Sequence, residues 1–296
     1  MARRRSSWCN WLYLRVLLAS TIGVCSQSIQ LQEIKALADG GDAQAQFMLG
    51  EMFAKGQGTN QNYTEAARLY RKAAEQDLGL AQFYLASLHD LNGPESLRDF
   101  HEAFKWYRKA ADKGMAQAQC ALGRLYDDGR GTVPNAAAAA LWYQKAADKG
   151  FAEAQYRLGL IYAAKNAPQS DYAEAVKWFS SAAVQGHPLA EFRLGGLYYD
   201  GLGVTQDYII AARWYRKAAE QGIPEACFNL GLMSGYGQGM RQDYLESYKW
   251  FTLAIWKGSE MAEANRDALT PFLKPEQFVE ARKRAAEFAE QHGLKH

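Results

Sequence analysis

"GLGVTQDYIIAARWYRKAAEQG", residues 201–222, decides the fold of this chain. It opens on a glycine pair, Gly201 and Gly203, passes through Asp207, and continues into a helix-forming run that stops at Gly222. Glycine-rich loops bring backbone N–H groups up to a phosphate, so the first question is whether this is a nucleotide loop. The copies answer it. "SGYGQGMRQDY", residues 234–244, repeats the pair as Gly237 and Gly239 and the acid as Asp243; Gly129 with Gly131 and Gly56 with Gly58 repeat the pair again. A phosphate loop is one special site, whereas a turn that recurs unit after unit joins packed helices.

The period is regular. Leu49-Gly50 recurs as Leu85-Ala86, Leu122-Gly123, Leu158-Gly159, Leu194-Gly195 and Leu230-Gly231, in steps of 36, 37, 36, 36 and 36 residues. An aromatic marker keeps the same beat: Leu69-Tyr70, Trp106-Tyr107, Trp142-Tyr143, Trp178-Phe179, Trp214-Tyr215 and Trp250-Phe251. A fixed period of this length signals a repeat architecture. Each unit reads as two helices. In "AEAQYRLGLIYAAK", Ala154, Leu158 and Ile161 fall on one helical face. A mid-helix glycine costs up to about 1 kcal/mol and is kept where another element packs very close. Asn62, Asp99, Asn135, Asp171, Asp207 and Asp243 stand where the second helices begin and are expected as N-caps, each worth about 1 kcal/mol. Glu65, Glu102, Glu174 and Glu246 follow three residues later, a capping-box pattern. Gly114, Gly150, Gly186, Gly222 and Gly258 are expected to stop the second helices; Asp77 breaks the pattern in the first unit.

These markers resemble the Sel-one-like repeats, relatives of the tetratricopeptide repeats, over about residues 40–258. The expected fold is therefore all-α: a right-handed alpha-alpha superhelix, or solenoid, of about six 36-residue helix-turn-helix repeats with capping helices. The expected organisation is a signal peptide at 1–26, an N-terminal capping helix at 27–41, six repeats at 42–258 and C-terminal capping helices at 259–296. The glycine pair is missing from the loops of the second and fourth units, "DLNGPESLRDF" and "AAKNAPQSDY". The resemblance implies a non-catalytic adaptor or scaffold, and for many bacterial members export and envelope signalling or host contact. A branch with cysteine pairs in its repeats is linked to penicillin binding or β-lactam hydrolysis. This chain lacks those pairs, which counts against that activity; a peptidoglycan-binding or β-lactam- or peptidoglycan-hydrolysing cell-wall protein is the alternative that the branch suggests, separable by incubation with peptidoglycan and a chromogenic β-lactam.

The amino terminus stands apart. Arg3, Arg4, Arg5 and Arg15 precede an uncharged run from Val16 to Val24, the order of a secretory signal, with a candidate cleavage before Gln27. The run is too short to span a bilayer; an uncleaved anchor is the competing reading. A periplasmic or secreted location follows if the segment is cut, with no membrane span in the mature chain. Residues 1–26 hold four Arg and no acid, which leaves 30 basic against 32 acidic residues in the remainder. A net charge of −2 lacks the basic excess that nucleic-acid binding needs. Of the four cysteines, Cys120 and Cys227 lie beyond the signal and read as small hydrophobes in helices.

No nucleophile turn, phosphate loop or metal-ligand spacing stands out, so no enzyme, cofactor or metal site is expected. His292 and His296 are four apart but flank Gly293 at the end of the chain, and Asp127-Asp128 reads as a solvated turn. Function is sought instead at first-helix positions outside the packing code. The slot before the repeated Leu holds Met48, Tyr84, Ala121, Arg157, Arg193 and Asn229; the slot after the glycine holds Glu51, Ser87, Arg124, Leu160, Gly196 and Leu232. First helices commonly line the concave face of such solenoids. Tyr84, Arg124, Arg157 and Arg193 are the candidate partner-binding residues for a protein or peptide, since Arg and Tyr are favoured at interface centres. The competing reading is scattered surface residues.

Overall fold

The computed structural model describes residues 24–91, 93–164 and 171–294. Most of the expected signal segment, part of the fourth-unit loop and His296 lie outside the described residues. Within them the chain forms fifteen α-helices and two 3-10 turns, with no strand, the all-α class expected. Helix α1 (Val24–Asp39) precedes six helix pairs. They are α2 (Ala43–Lys55) with α3 (Tyr63–Glu75), α4 (Gly79–His89) with α5 (Phe100–Asp112), and α6 (Ala116–Asp128) with α7 (Ala136–Ala147). Then come α8 (Ala152–Ala163) with α9 (Tyr172–Val184), α10 (Pro188–Asp200) with α11 (Tyr208–Glu220), and α12 (Pro224–Tyr236) with α13 (Tyr244–Trp256). Helix α14 (Met261–Asp267), a 3-10 turn at Thr270–Phe272 and α15 (Pro275–Gln291) follow. The chain divides into two compact units, residues 1–142 and 143–296.

All six expected caps form. The side-chain oxygens of Asn62, Asp99, Asn135, Asp171, Asp207 and Asp243 each accept a backbone N–H from the first turn that follows. The reciprocal half of the capping box does not. The N-cap amides of Asn62, Asp99, Asp171 and Asp243 already donate to Phe53, His89, Tyr162 and Ser234 carbonyls at the ends of the first helices. The glutamates turn to cations instead: Glu65 to Arg68, Glu102 to Arg71 and Lys105, Glu174 to Lys177, Glu246 to Lys249 and Arg284. The stop glycines adopt the left-handed conformation, and Asp77 adopts it too, at φ 68°. Lys113 pairs with the Asp77 carboxylate and Gln82 donates to it.

The Leu-Gly glycine faces an aromatic ring. A Cβ on Gly50, Gly159, Gly195 or Gly231 would lie 2.5–2.8 Å from the ring of Tyr70, Phe179, Tyr215 or Phe251 in the partner helix. Those rings are buried, each burial stabilising by roughly 1.5–3 kcal/mol. The glycine thus gives up helix propensity to admit a larger apolar group.

A polar clip joins one second helix to the next first helix. The side-chain amides of Gln46, Gln82, Gln119 and Gln155, all buried, donate to the carbonyls of Ala38, Ala74, Ala111 and Ala147, eight residues back. In the fifth pair the slot holds Glu191, 3% exposed, which accepts from Gln221. A carboxylate cannot donate the bond the glutamines make. Burial pushes the Glu191 carboxyl above its ordinary range, against the hydrogen bond from Gln221. A raised folded-state value favours folding below the unfolded carboxylate's pKa of about 4.3, and that contribution is lost as pH rises through the folded value. Glu191→Gln is therefore expected to stabilise the chain by about 1 kcal/mol at pH 7.5, with the gain vanishing near pH 4. Urea unfolding at both pH values checks it.

Candidate functional site

Each of the four candidate residues sits on a first helix, where the repeat places it, but their surroundings differ. In the unit of residues 1–142, Tyr84 on α4 is half-buried. Its ring lies 5.4 Å from Phe47 and 5.8 Å from Tyr70, so it closes an aromatic cluster between the first two helix pairs. Arg124 on α6 pairs with Asp90 at the end of α4. The Asp90 side chain is fully buried and also accepts from the Tyr107 hydroxyl at 3.4 Å. That ion pair stands where the second unit has lost its glycine turn. Tyr84 and Arg124 thus have separate partners, and Arg124 is committed to packing.

In the unit of residues 143–296, Arg157 on α8 donates to Glu153 at 2.7 Å, and Glu153 meets the Nε2 of His187 at 3.0 Å. His187 caps α10 and stacks on Tyr156 with 4.7 Å between centroids. Burial pushes the Glu153 carboxyl up, but the bonds from His187 and Arg157 outweigh it and hold it below its ordinary value. Arg193 on α10 is different: it is exposed, with its guanidinium 5.8 Å from the Phe192 ring. Of the four, Arg193 presents the most accessible cation. The same two slots elsewhere, from Met48 to Leu232, are half-buried rather than open. Neighbouring repeats stack close enough to shade the slots on both sides of the Leu-Gly pair.

Sequence reasoning missed Asp90, His187 and Glu153 as partners. The Asp90 column holds Ala54, Asp127, Ala163, Tyr199 and Gly235 in the other units, so a carboxylate recurs there in the third unit and residue type alone did not single Asp90 out. Cys120 and Cys227 are buried, and burial pushes the Cys227 thiol up to about 12, which keeps it protonated and unreactive. Among the described residues no group of three or more His, Cys, Asp or Glu is placed to hold a metal ion. No described helix is long and apolar enough to cross a membrane.

The helix pairs, glycine turns and caps coincide with six consecutive matches to the Sel1 repeat, at residues 43–78, 79–115, 116–151, 152–187, 188–223 and 224–259. The chain belongs to the Sel1 repeat family. Among solved structures it is similar to a protective antigen of uropathogenic Escherichia coli strains displaying an SLR fold. The two are 34% identical with a TM-score of 0.84 over 95% of this chain. The chain spans 60% of that antigen's length. It is also similar to a Sel1 repeat protein from Oxalobacter formigenes, at 30% identity and a TM-score of 0.74, covering 87% of this chain and 75% of that one. No curated protein matches. The Sel1 solenoid is generally a non-catalytic, protein-interaction fold, and in this chain six repeats take up residues 43–259.

Proposed function

We propose that this Sel1 repeat chain is a non-catalytic adaptor of the bacterial cell envelope, exported to the periplasm or beyond, that binds a protein or peptide segment on its first-helix face. The observation that carries the reading is Arg193, an exposed guanidinium on a first helix whose remaining residues are largely given to packing. An extended cation beside an aromatic ring is well suited to an acidic or polar peptide segment. The cell-wall alternative needs rings open to sugars, and the repeated rings Tyr70, Tyr107, Tyr143, Phe179, Tyr215 and Phe251 are buried.

The test is affinity capture from envelope extract, then titration of the captured partner, once purified, against wild type and Arg193→Glu. Charge reversal at an exposed side chain leaves the melting temperature nearly unchanged. It is expected to weaken partner binding at least about tenfold, a loss of about 1.4 kcal/mol. Equal affinity for both proteins removes the first-helix face from the proposal. Mass spectrometry of the amino terminus in fractionated cells tests export. A periplasmic chain beginning at Gln27 supports it, and a cytoplasmic chain beginning at Met1 overturns it.

A further inference from the structure

The last repeat departs from the one before it at the slot of Gly235. Thirty-six residues before Gly235 stands Tyr199. Its ring packs edge-on against Tyr208 with 5.1 Å between centroids, and its hydroxyl donates to Gln238. In the last repeat Tyr244 takes the place of Tyr208, but Gly235 supplies no ring. Tyr244 stacks instead on Phe272 from the following 3-10 turn, at 4.8 Å and 27°. The element that should cover this place is short: α14 ends at Asp267 after 7 residues, where α10 and α12 run for 13. Together the missing side chain and the short helix leave a cleft of ≈ 280 Å³, lined by Gly235, Tyr236, Tyr244, Ser247, Asn265 and Phe272 among others.

We infer that this cleft is a binding site for one aromatic side chain, tryptophan or tyrosine, of a partner polypeptide. Three observations fix the chemistry. The volume is just below the ≈ 300 Å³ lower bound for drug-sized ligands, so the cleft suits a single side chain. Its lining brings together the stacked pair of Tyr244 and Phe272, Tyr236 and Gly235, an aromatic surface against which a further flat ring packs. At the rim Asn265 spends its amide N–H on the Met261 carbonyl, which leaves its side-chain oxygen to accept from an indole N–H or a phenol. Exposed Tyr236 and Phe272 flank the mouth, 73% and 59% accessible. The inference deepens the adaptor reading, on which it rests for the existence of a partner.

The probe is N-acetyl-tryptophanamide, titrated into the ¹⁵N-labelled full chain and followed by amide chemical shifts. Saturable shifts confined to Gly235, Ser247, Asn265 and their neighbours are expected, with N-acetyl-leucinamide at least about fivefold weaker. Gly235→Tyr with Ser247→Ala rebuilds the preceding repeat, where Tyr199 and Ala211 hold those slots; the paired change is needed because a Cβ at 235 lies 3.1 Å from the Ser247 Oγ. It is expected to abolish the shifts. Asn265→Leu, which leaves the packing of Gly235 untouched, is expected to erase the preference for tryptophanamide over N-acetyl-phenylalaninamide. Diffuse shifts, no saturation, or an unchanged response in either folded variant overturns the site. Arg193→Glu is expected to bind the probe like wild type, so failure of the first-helix face and failure of this cleft are read separately.

Discussion

Gly203→Ala and Gly239→Ala each lower the stability of the folded chain by about 2–5 kcal/mol, whereas Gly58→Ala costs about 1–2 kcal/mol. All three glycines are the second of their pair and all have a left-handed φ near 70°. For alanine that conformation alone costs about 1–2 kcal/mol. The difference lies in what the new methyl meets. At Gly203 it would lie 2.3 Å from the backbone C and O of Tyr172, and at Gly239 2.4 Å from those of Tyr208. These are the opening residues of α9 and α11, the second helices of the preceding repeats. Backbone cannot rotate away as a side-chain tip does, so the loop and the helix start must separate, adding about 1–3 kcal/mol of overpacking. Gly58 belongs to the first repeat and meets only the Met52 methyl, at 3.5 Å. Urea-unfolding midpoints of the three variants check the contrast. Equal losses at all three would mean the glycines serve the turn alone.

Arg124→Ala is expected to destabilise the chain by about 3–5 kcal/mol, the cost of leaving a buried charge without its partner. Asp90 is fully buried, and its Oδ1 finds no hydrogen-bond donor among the described residues even with Arg124 in place. The double variant Asp90→Ala with Arg124→Leu restores residue types that other repeats carry in the same columns, Ala54 and Ala163 for the first, Leu160 and Leu232 for the second. Replacing a buried pair by apolar residues is often neutral or better, so the double variant is expected to regain most of the loss. Thermal melts of the single and double variants measure the coupling. Arg124→Ala would also weaken any partner binding, but by unfolding the binder, which separates it from Arg193.

The repeat was legible in the sequence because its determinants are local. Asp207 caps the helix that begins one residue later, Gly222 stops it, and the Leu-Gly pair sits in phase with the aromatic pair it packs against. Such signals depend on residue type at fixed spacing, so six copies reinforce one another. The candidate site was legible only as a set of columns. That Tyr84, Arg124, Arg157 and Arg193 lie on first helices follows from spacing. Their separate environments depend on side chains 30 or more residues away: Asp90 for Arg124, and His187, through Glu153, for Arg157. The capping box failed for the same kind of reason, since the N-cap amide was claimed by a carbonyl of the preceding helix.

The glycine pair divides the two sources of knowledge most clearly. The sequence by itself determined that "GLGVTQDY" is a repeated turn and not a phosphate loop, because one chain has no use for a special site copied at regular intervals. Only the tertiary structure decided why the second glycine of each pair must be glycine. Its left-handed φ favours a residue without Cβ, and in the later repeats the missing Cβ also makes room for backbone from the repeat before. The first constraint is written in the local chain. The second arises from stacking, which brings residues about 31 positions apart into contact and has no local spacing pattern to announce it.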